Sequence, residues 1–299
     1  MLARLQQAIT LGALLVVAAL LAWGWRSGEP GWALLGVALV LGGHALVLGL
    51  EFLMLRAAHG PDDPTPRATA PQLLLAWWGE TLAAPAVFCW RQPFRSRAQA
   101  DHLPSSQAQG RRGVLFIHGF VCNRGLWNPW MRRLRAQGVP FVAVNLEPVF
   151  GSIDDYVSRI EAGVRQVESS TGLAPVVVAH SMGGLALRRW WAEQSDDRRV
   201  HHAITIGTPH HGTWLARFAM SPNARQMRQQ GRWLESLAKR EPAARAERFT
   251  CFYGHCDNIV FPPASGTLAG AHNVHIPGVA HVHMADRPEP WAELQRWLS

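Results

Sequence analysis

The chain has 299 residues, of which 48% are hydrophobic, and its formal net charge at pH 7 is +8. This length suffices for one large domain with additional segments, and the hydrophobic content is ordinary for a protein with some membrane-embedded sequence. The arginines are scattered and no nucleic-acid-binding signature is present, so the charge does not indicate a nucleic-acid partner. Attraction to anionic lipid headgroups accounts for it at least as well.

Two nearly continuous apolar runs, residues 9–25 and 32–55, lie near the start of the chain, separated by the short polar link 26–31. Each run is close to the roughly 20 residues that cross the hydrocarbon core of a bilayer as a helix. A cleaved signal peptide is the alternative for the first run, but tryptophans stand where a small-residue cleavage site is expected. We therefore predict a transmembrane hairpin within residues 1–60, with an aromatic belt at its turn formed by Trp23, Trp25 and Trp32.

Arginines on the two sides of this hairpin set its expected orientation. Arg26 alone lies at the turn, whereas one arginine precedes the first run and five follow the second within 45 residues or so, namely Arg4 and then Arg56, Arg67, Arg91, Arg95 and Arg97. Positive residues favour the cytoplasmic side, so we expect a multi-pass protein of the inner (cell) membrane with its C-terminal domain in the cytoplasm. The four cysteines fit a reducing compartment, although Cys251 and Cys256 could pair if the domain lay outside.

Two ionisable residues, His44 and Glu51, interrupt the second apolar run. Ionisable groups inside a membrane span are candidates for function. Glu51 is close enough to the end of the run to reach headgroups and water, and His44 can hydrogen-bond across the hairpin. A structural role is therefore the preferred interpretation of both residues.

Residues 61–112 combine linker-like and apolar sequence. Residues 61–71 are rich in Pro, Asp, Thr and Ala, which is typical of a linker. Residues 72–88 are apolar but contain Glu80 and Pro85, which favours an interfacial helix, or a segment packed on the following domain, over a third membrane span. Polar residues dominate 95–112 and predict an exposed linker.

From residue 113 to residue 299, short β-rich runs alternate with helical stretches, which indicates a doubly wound α/β domain with a mostly parallel sheet. The predicted strands are 114–117, 141–144, 176–178, 203–206, 250–253 and 274–276. The predicted helices are 127–137, 154–169, 182–194, 223–240 and 289–298.

The third predicted strand ends abruptly at Ser181, within the sequence PVVVAHSMGGLALR. Ala179 and Gly183, two residues away on either side, are small, as a nucleophile elbow requires where a strand turns sharply into a helix. The amides at the start of that helix point at developing negative charge. A chance occurrence of so short a pattern is the alternative, but the flanking strand and helix supply the context that the motif demands. We predict that Ser181 is a nucleophile.

A serine nucleophile needs a base, and the base needs a third group that orients it. On folds with this elbow, the acid and the histidine follow later strands. Asp257 follows the fifth predicted strand and His281 follows the sixth. His283 is the alternative base but fits a lining or packing role better. The alternative acids fit helix caps or lie beyond the histidine, and they are Asp154, Asp155 and Asp286.

Two backbone amides are predicted to form an oxyanion hole. Met182 directly follows the nucleophile, and Phe120 lies in the loop after the first strand, where Gly119 lets the chain fold against the serine. His118 in that loop is assigned a structural role. The remaining histidines show no closed set of ligands at metal-binding spacing, so we predict no metal and no cofactor.

Six segments in chain order carry a resemblance to a known family: VLFIHGF, VNLEPVFGSIDDY, VVVAHSMGG, TIGTPHHGTW, HCDNIVFP and GVAH. Together they resemble the α/β-hydrolase superfamily, in particular bacterial lipases and esterases. The resemblance covers residues 113–299 and implies a serine hydrolase with Ser181, Asp257 and His281 as its triad. Ala179, where glycine is usual, resembles the A-x-S-x-G variant of small bacterial lipases, and TPHHG corresponds to a loop that shapes the site.

The implied activity is hydrolysis of carboxylic esters, of lipids or of other acyl groups. An acyltransferase or a thioesterase with the same triad is the alternative, whereas a catalytically silent scaffold is disfavoured by the complete set of groups. We expect the hydrolase core to be complete within 113–299, with residues 1–60 as an anchor that lies outside the family pattern. Residues 213–248 have an amphipathic composition that fits either a lid facing lipid or a solvated surface helix.

Overall fold

A six-stranded, wholly parallel sheet organises the C-terminal part of the computed structural model, which describes residues 1–61, 63–103 and 110–299. The strand order is β2-β1-β3-β4-β5-β6. The strands are β1 (Val114–Ile117), β2 (Phe141–Ala143), β3 (Val176–His180), β4 (His202–Ile206), β5 (Phe249–Tyr253) and β6 (His272–His275). All six predicted strands are present, and the parallel α/β class is confirmed.

Helices precede the sheet and cover both of its faces. They are α1 (Leu2–Ser27), α2 (Pro30–Ala58), α3 (Ala70–Pro85), α4 (Gln92–Arg95), α5 (Asn128–Ala136), α6 (Val157–Thr171), α7 (Met182–Trp191), α8 (Pro222–Gln226), α9 (Arg232–Ala238), α10 (His281–Met284) and α11 (Pro288–Leu298). Short 3-10 turns supplement them, one of which, Ile153–Tyr156, leads into α6.

Side chains along each strand alternate between the two layers of the core, as the two-residue period of a strand requires. Leu115 and Ile117 of β1 pack with one buried cluster, which includes α6 and α7. Val114 and Phe116 pack with the other, which includes α5 and α11. The sheet is thus buried on both sides, which explains why every residue of β1 is apolar and why β1, β3 and β4 are buried along their whole length.

The single helix predicted over 223–240 is instead two short helices, α8 and α9. After α8 the chain turns back and pairs with residue 213, since the Thr213 amide donates to the Met227 carbonyl. Gln230 adopts a φ of 53°, which is incompatible with a continuing helix. A long-range backbone pairing therefore interrupts a segment whose local pattern favours one helix.

The predicted N-terminal hairpin is confirmed as two long apolar helices, α1 and α2. Gly28 ends α1 with a φ of 73°, and Pro30 begins α2, so the turn uses residues suited to a helix end and a helix start. Trp25 and Trp32 flank this turn and are 90% and 66% exposed.

The third apolar helix is longer than predicted. Pro85 does not end it, because the hydrogen-bond ladder widens to π-helical spacing over Ala86–Arg91 and then continues into α4. The resulting continuous helical segment, Ala70–Arg95, packs on the domain that contains the sheet and is also long and apolar enough to cross a membrane, as α1 and α2 are. Pro85 therefore does not interrupt the helix as expected, but the segment packs on the following domain, which is one of the two arrangements expected for it.

Candidate active site

Ser181 lies at the sharp turn from β3 into α7. Its φ of 54° and ψ of −130° are uncommon for a residue with a side chain, and such strain is the mark of a nucleophile elbow. A Cβ at Gly183 would lie 2.6 Å from the His118 carbonyl oxygen and 2.8 Å from that of Ile117. Only glycine fits there, so the small residue in the motif has a direct steric cause.

His281 and Asp257 form a buried hydrogen-bonded pair. Nδ1 of His281 donates to Oδ2 of Asp257 at 2.9 Å, and the other carboxylate oxygen accepts the amides of Ile259 and Val260 at 2.9 and 2.8 Å. The carboxylate is therefore fixed on both sides. The structure brings these two sequence-predicted residues together although 24 positions separate them.

The charge around His281 controls its proton affinity. Burial disfavours the imidazolium, but the negative charge and hydrogen bond of Asp257, together with the charges of Glu80 and Glu51, outweigh burial, and the pKa of His281 is raised above its usual value of 6.5. A carboxylate partner that stabilises the protonated ring is what a general base requires.

Gly207, which directly follows β4, leaves room for this pair to lie against the backbone. Its φ is 56°, and a Cβ there would lie 3.0 Å from both Oδ2 of Asp257 and Nδ1 of His281. The next residue, Thr208, donates its hydroxyl to the Ser181 carbonyl at 2.9 Å. Within the segment TIGTPHHGTW, Gly207 thus provides backbone clearance and Thr208, the first residue of TPHHG, provides one hydrogen bond.

The loop after β1 packs directly against Ser181. A Cβ at Gly119 would lie 2.7 Å from the Cβ of Ser181, so this glycine permits the close approach. The His118 ring accepts the Leu146 amide at 3.0 Å and lies 2.9 Å from the Gly119 carbonyl oxygen, a structural role as predicted. Phe120 follows and borders the same cavity as Ser181, while Met182 begins α7 beside it.

Ser181 and His281 open onto one cavity of about 400 Å³. Its sheet side is formed by residues at and after the carboxyl ends of the strands, including His180 at the end of β3 and Phe120 in the loop after β1. Burial lowers the pKa of His180 to about 3, so this second histidine stays neutral. The other side of the cavity is formed by seven residues of α2, α3 and the π-helical turn: His44, Val47, Leu48, Glu51, Glu80, Ala84 and Phe88.

This wall comes from outside residues 113–299, the part of the chain in which we expect the hydrolase core to be complete. Two of its ionisable residues also have partners other than those expected. Glu51 does not turn to headgroups, because its Oε2 accepts the Asn258 side-chain amide at 2.6 Å. His44 lies 3.0 Å from the Thr81 carbonyl oxygen, so it contacts the third helix rather than crossing the hairpin.

Glu80 is the site residue that sequence reasoning missed most clearly. Its side chain is 1% exposed and accepts the amides of Val282 and His283, each at 2.9 Å. These amides belong to the first turn of α10, the short helix that begins with His281. They therefore have no carbonyl of a preceding helical turn to which they can donate. A carboxylate inside an apolar run is the signal that could have drawn attention to it.

The alternatives considered for the acid and the base have other contacts. His283 is half-buried against Gly79 of α3, which fits the packing role expected of it. Asp286 pairs with Arg91 at 3.0 Å. For the remaining aspartates the cap assignment needs a correction, because Ser152 is the capping residue, with Asp155 completing a capping box. Asp154 instead accepts hydrogen bonds from Arg189, Gln226 and Trp233.

Residues 213–248 do not contribute to the wall of the Ser181 cavity. Trp214 and Leu215 pack with the buried cluster under α2 and α3, and Phe218 and Met220 are 65% and 84% exposed. The four cysteines are free thiols. Within the described ranges, no group of three or more His, Cys, Asp or Glu side chains is arranged to hold a metal ion.

Comparisons with known proteins agree with this fold. A model described as the alpha/beta hydrolase family matches residues 114–263. No protein of curated function matches the chain by sequence. In structure, the chain is similar to the mature lipase BlEst2 of Bacillus licheniformis, with a TM-score of 0.58, 16% identity, and coverage of 67% of this chain and 97% of that one.

The lipase B of Aspergillus fumigatus is also similar, with a TM-score of 0.56, 21% identity, and coverage of 66% of this chain and 55% of that one. The present chain thus spans about half the length of the fungal protein. At these identities the likeness establishes the fold, and both alignments leave about a third of this chain uncovered.

Proposed function

The chain belongs to the alpha/beta hydrolase family, and from this we propose that it is a membrane-anchored serine hydrolase that cleaves carboxylic esters through an acyl-enzyme. The proposal is supported by the position of Ser181, on its strained turn, in the same cavity as His281, which is hydrogen-bonded to the buried Asp257. Nucleophile, base and orienting acid are the three parts that acyl transfer to water requires.

In the proposed first step, Oγ of Ser181 attacks the ester carbonyl carbon and His281 accepts the hydroxyl proton. The carbonyl oxygen becomes an oxyanion, which the amides of Phe120 and Met182 stabilise. Collapse of this intermediate breaks the bond to the alcohol, and His281 returns the proton to that leaving group. Asp257 stabilises the imidazolium between the two proton transfers.

In the second step a water molecule replaces the alcohol. His281 removes a proton from the water as it attacks the acyl carbon, and the same amides stabilise the second oxyanion. Ser181 then leaves with the proton from His281, and the carboxylic acid is released. The expected turnover requires no metal and no cofactor.

Hydrolysis of p-nitrophenyl esters of graded chain length by the detergent-solubilised protein tests this function. We expect release of nitrophenol by the wild type and none above background by Ser181→Ala. A competing alcohol or amine in the same assay identifies the acyl acceptor, because ester or amide products would favour the acyltransferase alternative. A folded wild-type protein inactive on esters and thioesters alike would overturn the proposal.

We expect kcat/KM to depend on pH through His281. The neutral ring accepts the serine proton, so protonation removes activity. Since the pKa of His281 is raised above 6.5, the inactive form persists to higher pH, and activity should rise with pH through an apparent pKa above that value. A profile of kcat/KM against pH, recorded with a soluble ester, measures this rise. An apparent pKa well below 6.5 would contradict the proposed pairing with Asp257.

The proposed location is the inner (cell) membrane, with the catalytic domain in the cytoplasm. The basis is the excess of arginines after α2 over the single Arg26 at the turn. A fusion of alkaline phosphatase to the C-terminus should be inactive, while a fusion of a fluorescent protein should be bright. Active phosphatase there would reverse the proposed orientation and make a Cys251 to Cys256 disulfide worth testing.

A further inference from the structure

The Ser181 cavity has one wall that lies opposite the catalytic loops. The residues of this wall belong to the helices that precede the sheet in the chain. Four of its residues lie on α2, two on α3 and one on the π-helical turn that follows. The apolar members, Val47, Leu48, Ala84 and Phe88, offer no hydrogen-bonding side chain to a ligand. This side of the cavity is therefore suited to a hydrocarbon chain, because transfer of such a chain from water to an apolar surface lowers the free energy.

The helices are held in a fixed position relative to the catalytic residues. Glu80 of α3 accepts the two amides that follow His281. Glu51 of α2 accepts the side chain of Asn258, whose own Oδ1 accepts the His281 amide at 3.2 Å. Both carboxylates thus bond to the His281 segment, directly or through one residue. Because these hydrogen bonds fix α2 and α3 relative to His281, we treat the wall as part of the active site.

The opening of the cavity lies on the apolar surface of the helices. Val47 borders the cavity and is nevertheless 57% exposed, so the cavity reaches the surface beside it. The neighbouring side chains on α2 that are exposed are leucines: Leu46 at 65% and Leu50 at 60%.

We propose that α2 and α3 form the acyl-chain-binding wall of the active site, and that the substrate is a long-chain ester that enters from the hydrocarbon layer of the membrane. This inference rests on the proposed esterase function and specifies its substrate class. The ester carbonyl lies at Ser181, and the acyl chain extends along Ala84 and Phe88 towards Val47. The two apolar helices then serve the site as a cap does, in place of residues 213–248.

Photo-crosslinking of the full-length protein in phospholipid vesicles tests the inference without any substitution. The probe is a long-chain alkyl fluorophosphonate with a diazirine at the end of its chain. Oγ of Ser181 forms a bond to phosphorus, fluoride leaves, and the serine proton passes to His281. Light then expels dinitrogen, and the resulting carbene inserts into whatever lies beside the chain.

We expect the cross-linked peptides, identified by mass spectrometry, to contain residues 44–51 or 80–88. Cross-links confined to residues 213–248, or to vesicle lipid alone, would overturn the inference while leaving the proposed function intact. Failure of the probe to label Ser181 at all would overturn the proposed function and the inference with it. The two failures are therefore distinguishable.

A substitution gives a second readout. Ala84→Phe places a ring in the cavity, so the ratio of kcat/KM for a long-chain ester to that for a short-chain ester should fall by about tenfold or more. Leu82→Phe is the matched control, because Leu82 lies on the same helix, is 58% exposed and does not border the cavity. An unchanged ratio in Ala84→Phe would contradict the inference.

Discussion

Replacement of Ser181 or His281 by alanine is expected to lower the turnover of a soluble ester by roughly three to six orders of magnitude. The members of a catalytic triad act as a unit, so losing the nucleophile or the base removes covalent catalysis altogether. Rates of p-nitrophenyl butyrate hydrolysis measure the loss. The protein's fold in each variant is checked by circular dichroism.

Two matched variants control for nonspecific effects. Ser158→Ala removes an exposed serine hydroxyl on α6, and His283→Ala removes the neighbouring histidine that packs against α3. We expect the first to leave the rate unchanged and the second to cost far less than His281→Ala. If His283→Ala proved the more damaging histidine change, the base would be wrongly assigned. Near-normal activity in Ser181→Ala would end its assignment as nucleophile.

The second large effect is expected from Asp257→Asn, at about four orders of magnitude in kcat. The oxygen of the new amide must face the amides of Ile259 and Val260, which donate to Oδ1 in the wild type. Its NH₂ group then faces Nδ1 of His281. Nδ1 must then accept a hydrogen bond from this NH₂ group, so the ring proton moves to Nε2. A protonated Nε2 cannot take the proton of the Ser181 hydroxyl.

Asp257→Asn should also change the pH dependence of the activity, in the direction opposite to the shift that Asp257 causes in the wild type. The Asp257 carboxylate is the leading contribution that raises the pKa of His281, so its loss should shift the residual activity limb to lower pH. Asp286→Asn is the matched control, since that aspartate pairs with Arg91 away from the cavity. A full rate and an unshifted limb in Asp257→Asn would mean that another group orients the base.

The sequence predicted the sheet and the three triad candidates because their signals are local. A β-branched run that stops at a serine between small residues has few structural solutions, and Gly183 is small because the His118 carbonyl leaves no room for a Cβ. The acid and histidine were found by their positions after later strands. Parallel strands carry those positions to one edge of the sheet, where the structure has them.

The contribution of the N-terminal helices could not be derived the same way. Hydropathy identifies a helix that can cross a membrane but does not say which face contacts another element. Glu51 and Glu80 were visible as carboxylates in apolar runs, yet their partners, Asn258 and the amides after His281, are about 200 residues away. Gly207 likewise acquires its role only when Asp257 and His281 converge on it.

Labelling of the full-length protein in membranes with a fluorophosphonate probe tests the central claim most directly, because the probe reacts with a serine only where a base activates it. We expect mass spectrometry to find a single modified serine, Ser181, and we expect His281→Ala to suppress the labelling while His283→Ala preserves it. An unlabelled wild-type protein, or a probe attached to a different serine, would show that Ser181 is not the activated nucleophile.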